Sequence, residues 1–241
     1  MTTIDAGGDR HLSTQFDADL AGVSGRVLEM GGLVEQQLEQ AVRALTHFSE
    51  EGAREVLVRE ERVNALEVQI DRELSTIIAR RQPTARDLRL LIAISKTIGN
   101  LERAGDEAAR VARTVLRLGH AGLGAAVRLP LSDAEFAAGL ATAQLRRALD
   151  ALARLDATEA LAAIRSDDTI DAEFDGLMRK LVTYMIEDPR TITAAIDLVF
   201  VAKAIERVGD HAKNIAEQVI YIVKGADVRH APVGHVESVV S

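Results

Sequence analysis

Ile98-Gly-Asn-Leu-Glu-Arg-Ala-Gly-Asp106 returns, little changed, as Ala202-Lys-Ala-Ile-Glu-Arg-Val-Gly-Asp210. Glu102 and Glu206 are 104 residues apart, as are Asp106 and Asp210, and the chain breaks at Pro83 and Pro189 are 106 apart. A shared Glu-Arg-x-Gly-Asp inside the same helix of both halves marks an internal repeat. Around the first copy, Leu88, Leu91, Ile94, Ile98, Leu101, Ala108, Val111, Val115 and Leu118 recur in steps of three and four, the period of a helix with one buried stripe. The same period runs from Phe16 through Leu20, Val23, Val27, Met30, Val34, Leu38, Val42 and Leu45, and again from Val56 to Ile77.

Six helices follow: about 16–45, 53–81, 84–118, 132–155, 158–187 and 191–224. Gln82-Pro83 and Asp188-Pro189 stop the second and fifth, because Pro disfavours helix in the residue before it and pre-sets the first turn of the next. Gly31-Gly32 predicts a bend or a close helix contact. Ser132-Asp-Ala-Glu135 has the form of a capping box. The fold class expected is all-α: two tandem antiparallel three-helix bundles at 10–119 and 132–225, a Gly-rich linker at 120–131, and a loose tail at 226–241.

Composition narrows the function. Of 241 residues 47% are hydrophobic and only 3% aromatic, so a core of Leu, Val, Ile and Ala is available but strand formers are scarce. The absence of cysteine removes disulfides, thiolate-bound metals and thiol catalysis. A net charge of −8 argues against nucleic acid as partner, since phosphate backbones need a basic footprint. No apolar run approaches the ~20 residues of a membrane span, and the start lacks a signal-peptide pattern. A cytoplasmic protein is expected.

The repeated motif carries the best candidate chemistry. Spacing i, i+4 sets Glu102 and Asp106 on one helix face, and likewise Glu206 and Asp210. The preceding helix of each copy has its own acidic row: Glu60 and Glu67 (with Asp71) in the first, Asp168, Asp171 and Asp175 in the second. Rows facing across antiparallel helices would repel and titrate upward unless a cation neutralises them. All-oxygen ligation suits Mg²⁺, Mn²⁺ or iron, with no organic cofactor. Gly at i+3 from each Glu excludes the Glu-x-x-His pattern of di-iron enzymes. The competing reading is a solvated face, with Arg103 and Arg207 as neighbours of the acids. His211 is expected at the surface. The first hairpin tip holds Arg80, Arg81, Arg86 and Arg89, where the second is acidic or neutral; such a tip suits an acidic partner surface, an anion or lipid head groups, or merely a solubilised helix end. No phosphate-cradling loop or nucleophile elbow is present.

These residues resemble the PhoU family. The likeness rests on the duplicated Glu-Arg-x-Gly-Asp and on Gln15-Phe16, Met30-Gly-Gly-Leu-Val-Glu-Gln-Gln-Leu38, Arg81-Gln-Pro-Thr-Ala85, Asp87-Leu-Arg89, Ile94-Ser-Lys-Thr-Ile98, Thr183-Tyr-Met185 and Val223-Lys-Gly225, spanning about residues 10–230. It implies a homodimeric, non-enzymatic negative regulator of phosphate uptake and phosphate-starvation signalling. Its implied partners are a PstB-like transporter ATPase and a PhoR-like sensor kinase, with membrane association only through them. It also implies metal at Glu102, Asp106, Glu206 and Asp210 with facing acids. Ala104 and Asn64 depart from the usual residues in the first copy, so the second copy is expected to bind metal more tightly. A metal-dependent carboxylate enzyme and a peripheral membrane scaffold are the alternatives.

Overall fold

The computed structural model describes residues 7–83, 85–120 and 129–241, with side chains described at 16–83, 87–120 and 129–241. Most of the expected linker, residues 121–128, and the expected helix start at Thr84 lie outside the described residues. Eight α-helices appear among them: α1 (Gly7–His47), α2 (Glu50–Arg81), α3 (Ala85–His120), α4 (Leu131–Arg154), α5 (Ala157–Arg165), α6 (Asp167–Glu187), α7 (Ile192–Lys224) and α8 (Val233–Val240). There is no strand among the described residues.

Helix ends follow local chemistry. Ser49 caps α2 by accepting from the Gly52 amide at 3.1 Å, acidic Glu50 and Glu51 open that helix and Arg80 and Arg81 close it, each sign matched to the helix dipole. Gln82, at φ 47°, takes the left-handed cap before Pro83. Asp156 caps α5 through the amides of Thr158 and Glu159. The capping box expected at Ser132 is not used: α4 begins at Leu131 after Pro130, with no side-chain cap.

The fifth expected helix is two helices. Ser166 bends its hydroxyl back to the Ala163 carbonyl at 2.7 Å, and α6 starts afresh at Asp167. The tail is not loose either. Val228 and Val236 are buried, α8 packs on α5, Glu237 pairs with Arg165, and Lys224 donates to the Val240 carbonyl at 2.7 Å.

α1–α3 form one three-helix bundle, and α4, α5–α6 and α7 the other. They join through α3 against α7 and α1 against α4, so one hydrophobic core runs through both. Gly31 supplies the close approach expected of it: a Cβ there would lie 2.5 Å from Leu149 Cδ1 on α4, whereas Gly32 faces open space. Ala134, Ala138, Ala141, Ala148, Ala160 and Ala163 keep the second bundle tight with small side chains.

Candidate functional site

The duplicated glycine sits at the bottom of a duplicated polar cradle. In the first bundle a Cβ on Gly105 would come within 3.1 Å of Glu60 Oε2, 3.3 Å of Gln37 Oε1 and 3.4 Å of Val63 Cγ1. In the second, one on Gly209 would meet Gln144 Oε1 at 3.0 Å and Ile170 Cδ1 at 3.1 Å. Each bundle thus brings a glutamine from its first helix, an acid and an aliphatic residue from its second, and a glycine from its third to one point. Gln37 Nε2 donates to Glu60 and, at 3.2 Å, to the Gly105 carbonyl; Gln144 Nε2 donates to the Ala163 carbonyl at 3.1 Å and to Asp167 at 3.4 Å. Gln37, Gln144 and Asp167 escaped the sequence reading. The signal was there in one spacing: Gln37 to Gln144 and Glu60 to Asp167 are both 107 residues.

Above the cradle the acidic rows do face one another. Burial raises the Glu60 carboxyl; its bond from Gln37 opposes this, and Asp106 and Glu102 reinforce it. Glu67 is raised by burial, then Asp71 and Asp106, against Arg103. Glu102 rises through burial, Asp106 and Glu67. In the second copy burial raises Asp171 and Asp210, with Asp167 and Glu206 adding to both. The α6 anchor is therefore the buried Asp167; Asp168 acts on Asp171 from an exposed position, and Asp175 lies exposed further toward the hairpin tip.

The copies differ in how the repulsion is relieved. Lys213 reaches Asp167 at 2.6 Å and Lys203 reaches Glu206 at 2.6 Å. The corresponding positions of the first copy are Ala109 and Gly99, which carry no charge. There the buried Glu60 Oε1 has no hydrogen-bond partner. Among the described residues no group of three or more His, Asp and Glu stands ready to hold a metal ion. What the first copy offers is an all-oxygen donor set (Glu60, Glu67, Glu102, Asp106) with an orphaned buried oxygen and no lysine. The chemistry of that donor set, all oxygen and all acidic, is the kind a hard cation takes. The second copy fits less well, because lysines already do a cation's work.

His211 is not a surface residue. It is 8% exposed at the α3–α7 junction, where Nδ1 lies 3.2 Å from Asn100 Oδ1; Asn214 donates to the same oxygen at 3.2 Å. Burial, with Arg103 and Arg207 nearby, pushes its pKa down to about 4. The imidazole is neutral and donates through Nδ1, since Asn100 Oδ1 can only accept. Beside it Glu107, 4% exposed, pairs with Arg207 at 3.1 Å and Arg110 at 3.2 Å. The sequence missed this junction because α7 buries two faces, one in its own bundle and one on α3.

The arginine tip is not one surface. Arg81 is tied to Asp19 at 3.0 Å, and Arg89 packs beside Gly225 at the C-terminal cap of α7. Arg80 is exposed on the lip of a cleft of about 510 Å³ that Arg26, Arg72 and Glu73 also line. The Arg86 side chain lies outside the described residues.

Comparison with known proteins matches this duplicated architecture. A family model described as the PhoU domain matches residues 27–115 and again 137–219, one copy per bundle. The chain is 49% identical over 222 residues to a phosphate-specific transport system accessory protein PhoU homolog of a Burkholderia species, covering 92% of this chain and 94% of that one. It is 44% identical over 223 residues to the phosphate-specific transport system accessory protein PhoU of Escherichia coli K12, covering 92% and 90%. Among solved structures, PhoU from Pseudomonas aeruginosa superposes with a TM-score of 0.80 at 42% identity, covering 88% of this chain and 100% of that one. The phosphate transport system regulatory protein PhoU from Streptococcus pneumoniae does so with a TM-score of 0.80 at 25% identity, covering 88% and 99%. With both bundles matched and the relatives covered almost end to end, the chain belongs to the PhoU family.

Proposed function

We propose that the chain is a non-enzymatic negative regulator of phosphate uptake and phosphate-starvation signalling, an adaptor between a Pst-type phosphate transporter and a PhoR-like sensor kinase. The observation that carries this is the 49% identity, through both bundles, to a protein named as an accessory of phosphate-specific transport. The PstB-like ATPase subunit and the kinase are its partners, and it works as a homodimer in the cytoplasm. No helix among the described residues is long and apolar enough to cross a membrane, so it reaches the membrane through those partners. The test is a strain lacking this chain. In phosphate-rich medium a phosphate-starvation reporter should rise, and the tagged chain should retain the ATPase and kinase in pull-downs. An unchanged reporter would sink the reading.

Metal at the acidic rows is part of the proposal, with Mg²⁺, Mn²⁺ or iron as candidates. Counting acids favours the second copy; the pairing of Asp167 with Lys213 and Glu206 with Lys203 reverses that preference. A cation there must displace two ammonium groups, whereas the first copy offers carboxylates that now repel. Titration with Mn²⁺ followed by calorimetry should lose more affinity with Glu102→Ala than with Glu206→Ala. Equal losses, or no binding to the unmodified protein, would remove metal from the account.

A further inference from the structure

Toward the C-terminal end of α2, the cleft of about 510 Å³ between α1 and α2 carries Arg26 from α1 and Arg72, Arg80 and Arg81 from α2 on its wall. Two carboxylates share that wall, and both are already covered. Glu73 accepts from Arg26 through one oxygen and from Gln69, at 3.0 Å, through the other. Asp19 accepts from Arg81 Nε at 3.3 Å and from its Nη2 at 3.0 Å. Arg72 and Arg80 are exposed and make no ion pair among the described residues, and the buried Arg26 Nε has no hydrogen-bond partner. Four guanidinium groups against two carboxylates leave the cleft formally at +2, on a chain whose net charge is −8.

Helix-end electrostatics account for only part of this. Arg80 and Arg81 close α2, where cations suit the helix dipole, but Arg72 stands more than two turns earlier, beyond the reach of that effect. The repeat adds a comparison. In the register of the two cradles, 107 residues for α1 to α4 and for α2 to α6, the Arg26–Glu73 pair returns as Asp133–Lys180, the same contact with its charges exchanged. Arg72 returns as Arg179, whereas Arg80 and Arg81 become Glu187 and Asp188, the latter held by Arg190. At these five positions the first bundle has four cations and one carboxylate, the second two cations and three carboxylates. The same helices pack in both bundles, so the packing does not require a positive cleft.

The spacing of the unpaired arginines selects the ligand. Arg72, Thr76 and Arg80 follow at i, i+4 and i+8 on one face of α2. Eight residues rise about 12 Å, and helical side chains lean together toward the N-terminus, so the two free guanidinium groups stand roughly that far apart. One tetrahedral anion would have to draw both arms together; a chain of linked phosphates meets them where they are. The Thr76 hydroxyl is spent on the Arg72 carbonyl at 2.9 Å, which leaves the arginines as donors. Guanidinium forks match phosphate oxygens two at a time. The cleft volume lies within the ~300–1,000 Å³ of small-ligand sites. No aromatic ring lines it among the described residues, so nothing there stacks a nucleobase.

We infer that this cleft is a binding site for a linear oligophosphate, held by Arg72 and Arg80 with Arg26 and Arg81 behind them. The site goes beyond the adaptor reading and shares no residue with the acidic rows. Calorimetric titration of the full chain with tripolyphosphate at low salt tests it, with EDTA present so that no metal bridges the ligand to the acidic rows. Tripolyphosphate should bind at least about tenfold more tightly than orthophosphate, because it engages two forks where orthophosphate engages one. Arg72→Ala and Arg80→Ala should each weaken it by about tenfold, the loss of one charge-assisted contact, with helical circular dichroism unchanged. Arg179→Ala, at the second-bundle counterpart of Arg72, should leave binding intact. ATP carries the same chain on a nucleoside and should bind no more tightly. Phosphatidylglycerol vesicles offer single phosphates on a lipid surface and should not retain the chain in flotation. Absence of tripolyphosphate binding, orthophosphate binding as tightly, or ATP binding more tightly each overturns the inference. So does an Arg179→Ala loss equal to that of Arg72→Ala, or retention of the chain by the vesicles.

Discussion

Glu217 shows what a single buried acid does to this molecule. It is 8% exposed on α7, and burial raises its carboxyl against the partial relief of Lys213 and His230. A folded pKa above the unfolded one makes ionisation costly, so stability is fully present below the ordinary carboxylate range and is lost as pH rises through it to the raised value. Glu217→Gln should therefore raise the midpoint of thermal unfolding at pH 7 by a few degrees, for roughly 1 kcal/mol. The gain should vanish near pH 4; a gain of equal size at pH 4 and pH 7 would rule out ionisation as its cause. His211 carries a different load, since its ring is one of two donors to Asn100 Oδ1 between the bundles. His211→Ala should cost about 1–3 kcal/mol in chemical denaturation, the range for losing a buried hydrogen-bond partner together with its packing. A variant as stable as the parent would show that α3 and α7 do not need it.

Among elements, α1 makes the sharpest contrast. Gly31 and Gly32 are adjacent, yet one faces the buried Leu149 side chain and the other open space. Gly31→Ala should destabilise by about 1–3 kcal/mol, because Leu149 Cγ and both its Cδ atoms must move inside a packed core. Gly32→Ala should stabilise by up to about 1 kcal/mol through helix propensity. Denaturant midpoints moving in the same direction would contradict this reading of the α1–α4 contact. At this scale much was legible in the chain. The 3.6 period located the long helices, and the two Pro breaks set their hairpins. The division at Ser166 was hidden because neither Gly nor Pro marks it; a hydroxyl turned onto its own helix does the breaking. α8 was hidden for another reason: eight residues hold little periodicity, and its apolar positions make sense only once α5 is there to receive them. The acidic rows could be read from i, i+4 spacing on single helices. The Gln37 and Gln144 cradles could not, since they depend on the register of three helices that only packing determines.

For the molecule as a whole, the two bundles are alike in backbone and unlike in surface. The acids of the first bundle have no lysine among them, whereas those of the second are held by Lys203 and Lys213. The tip of the first carries arginines, and the tip of the second carries isoleucine, valine and phenylalanine. What holds them together is polar as well as apolar, for Glu107 on α3 reaches Arg207 on α7. Glu107→Ala should leave Arg207 without its carboxylate and lower stability measurably. Arg207→Ala is expected to be the more damaging, because it leaves a carboxylate that is 4% exposed with only Arg110, at 3.2 Å, to offset its charge. Equal or reversed losses in urea unfolding would show that the pair is not the governing contact.

The α3–α7 junction has a further consequence for stoichiometry. Two identical bundles meeting about a two-fold axis would be bound to show every surface twice, and a change useful on one would be imposed on the other. Joined in one chain across that junction, they keep a common backbone plan but lose the obligation to sameness. Each tip and each seam is present once per chain, and each can be altered alone. Two different partners can then be met by two different faces, without any face having to serve both.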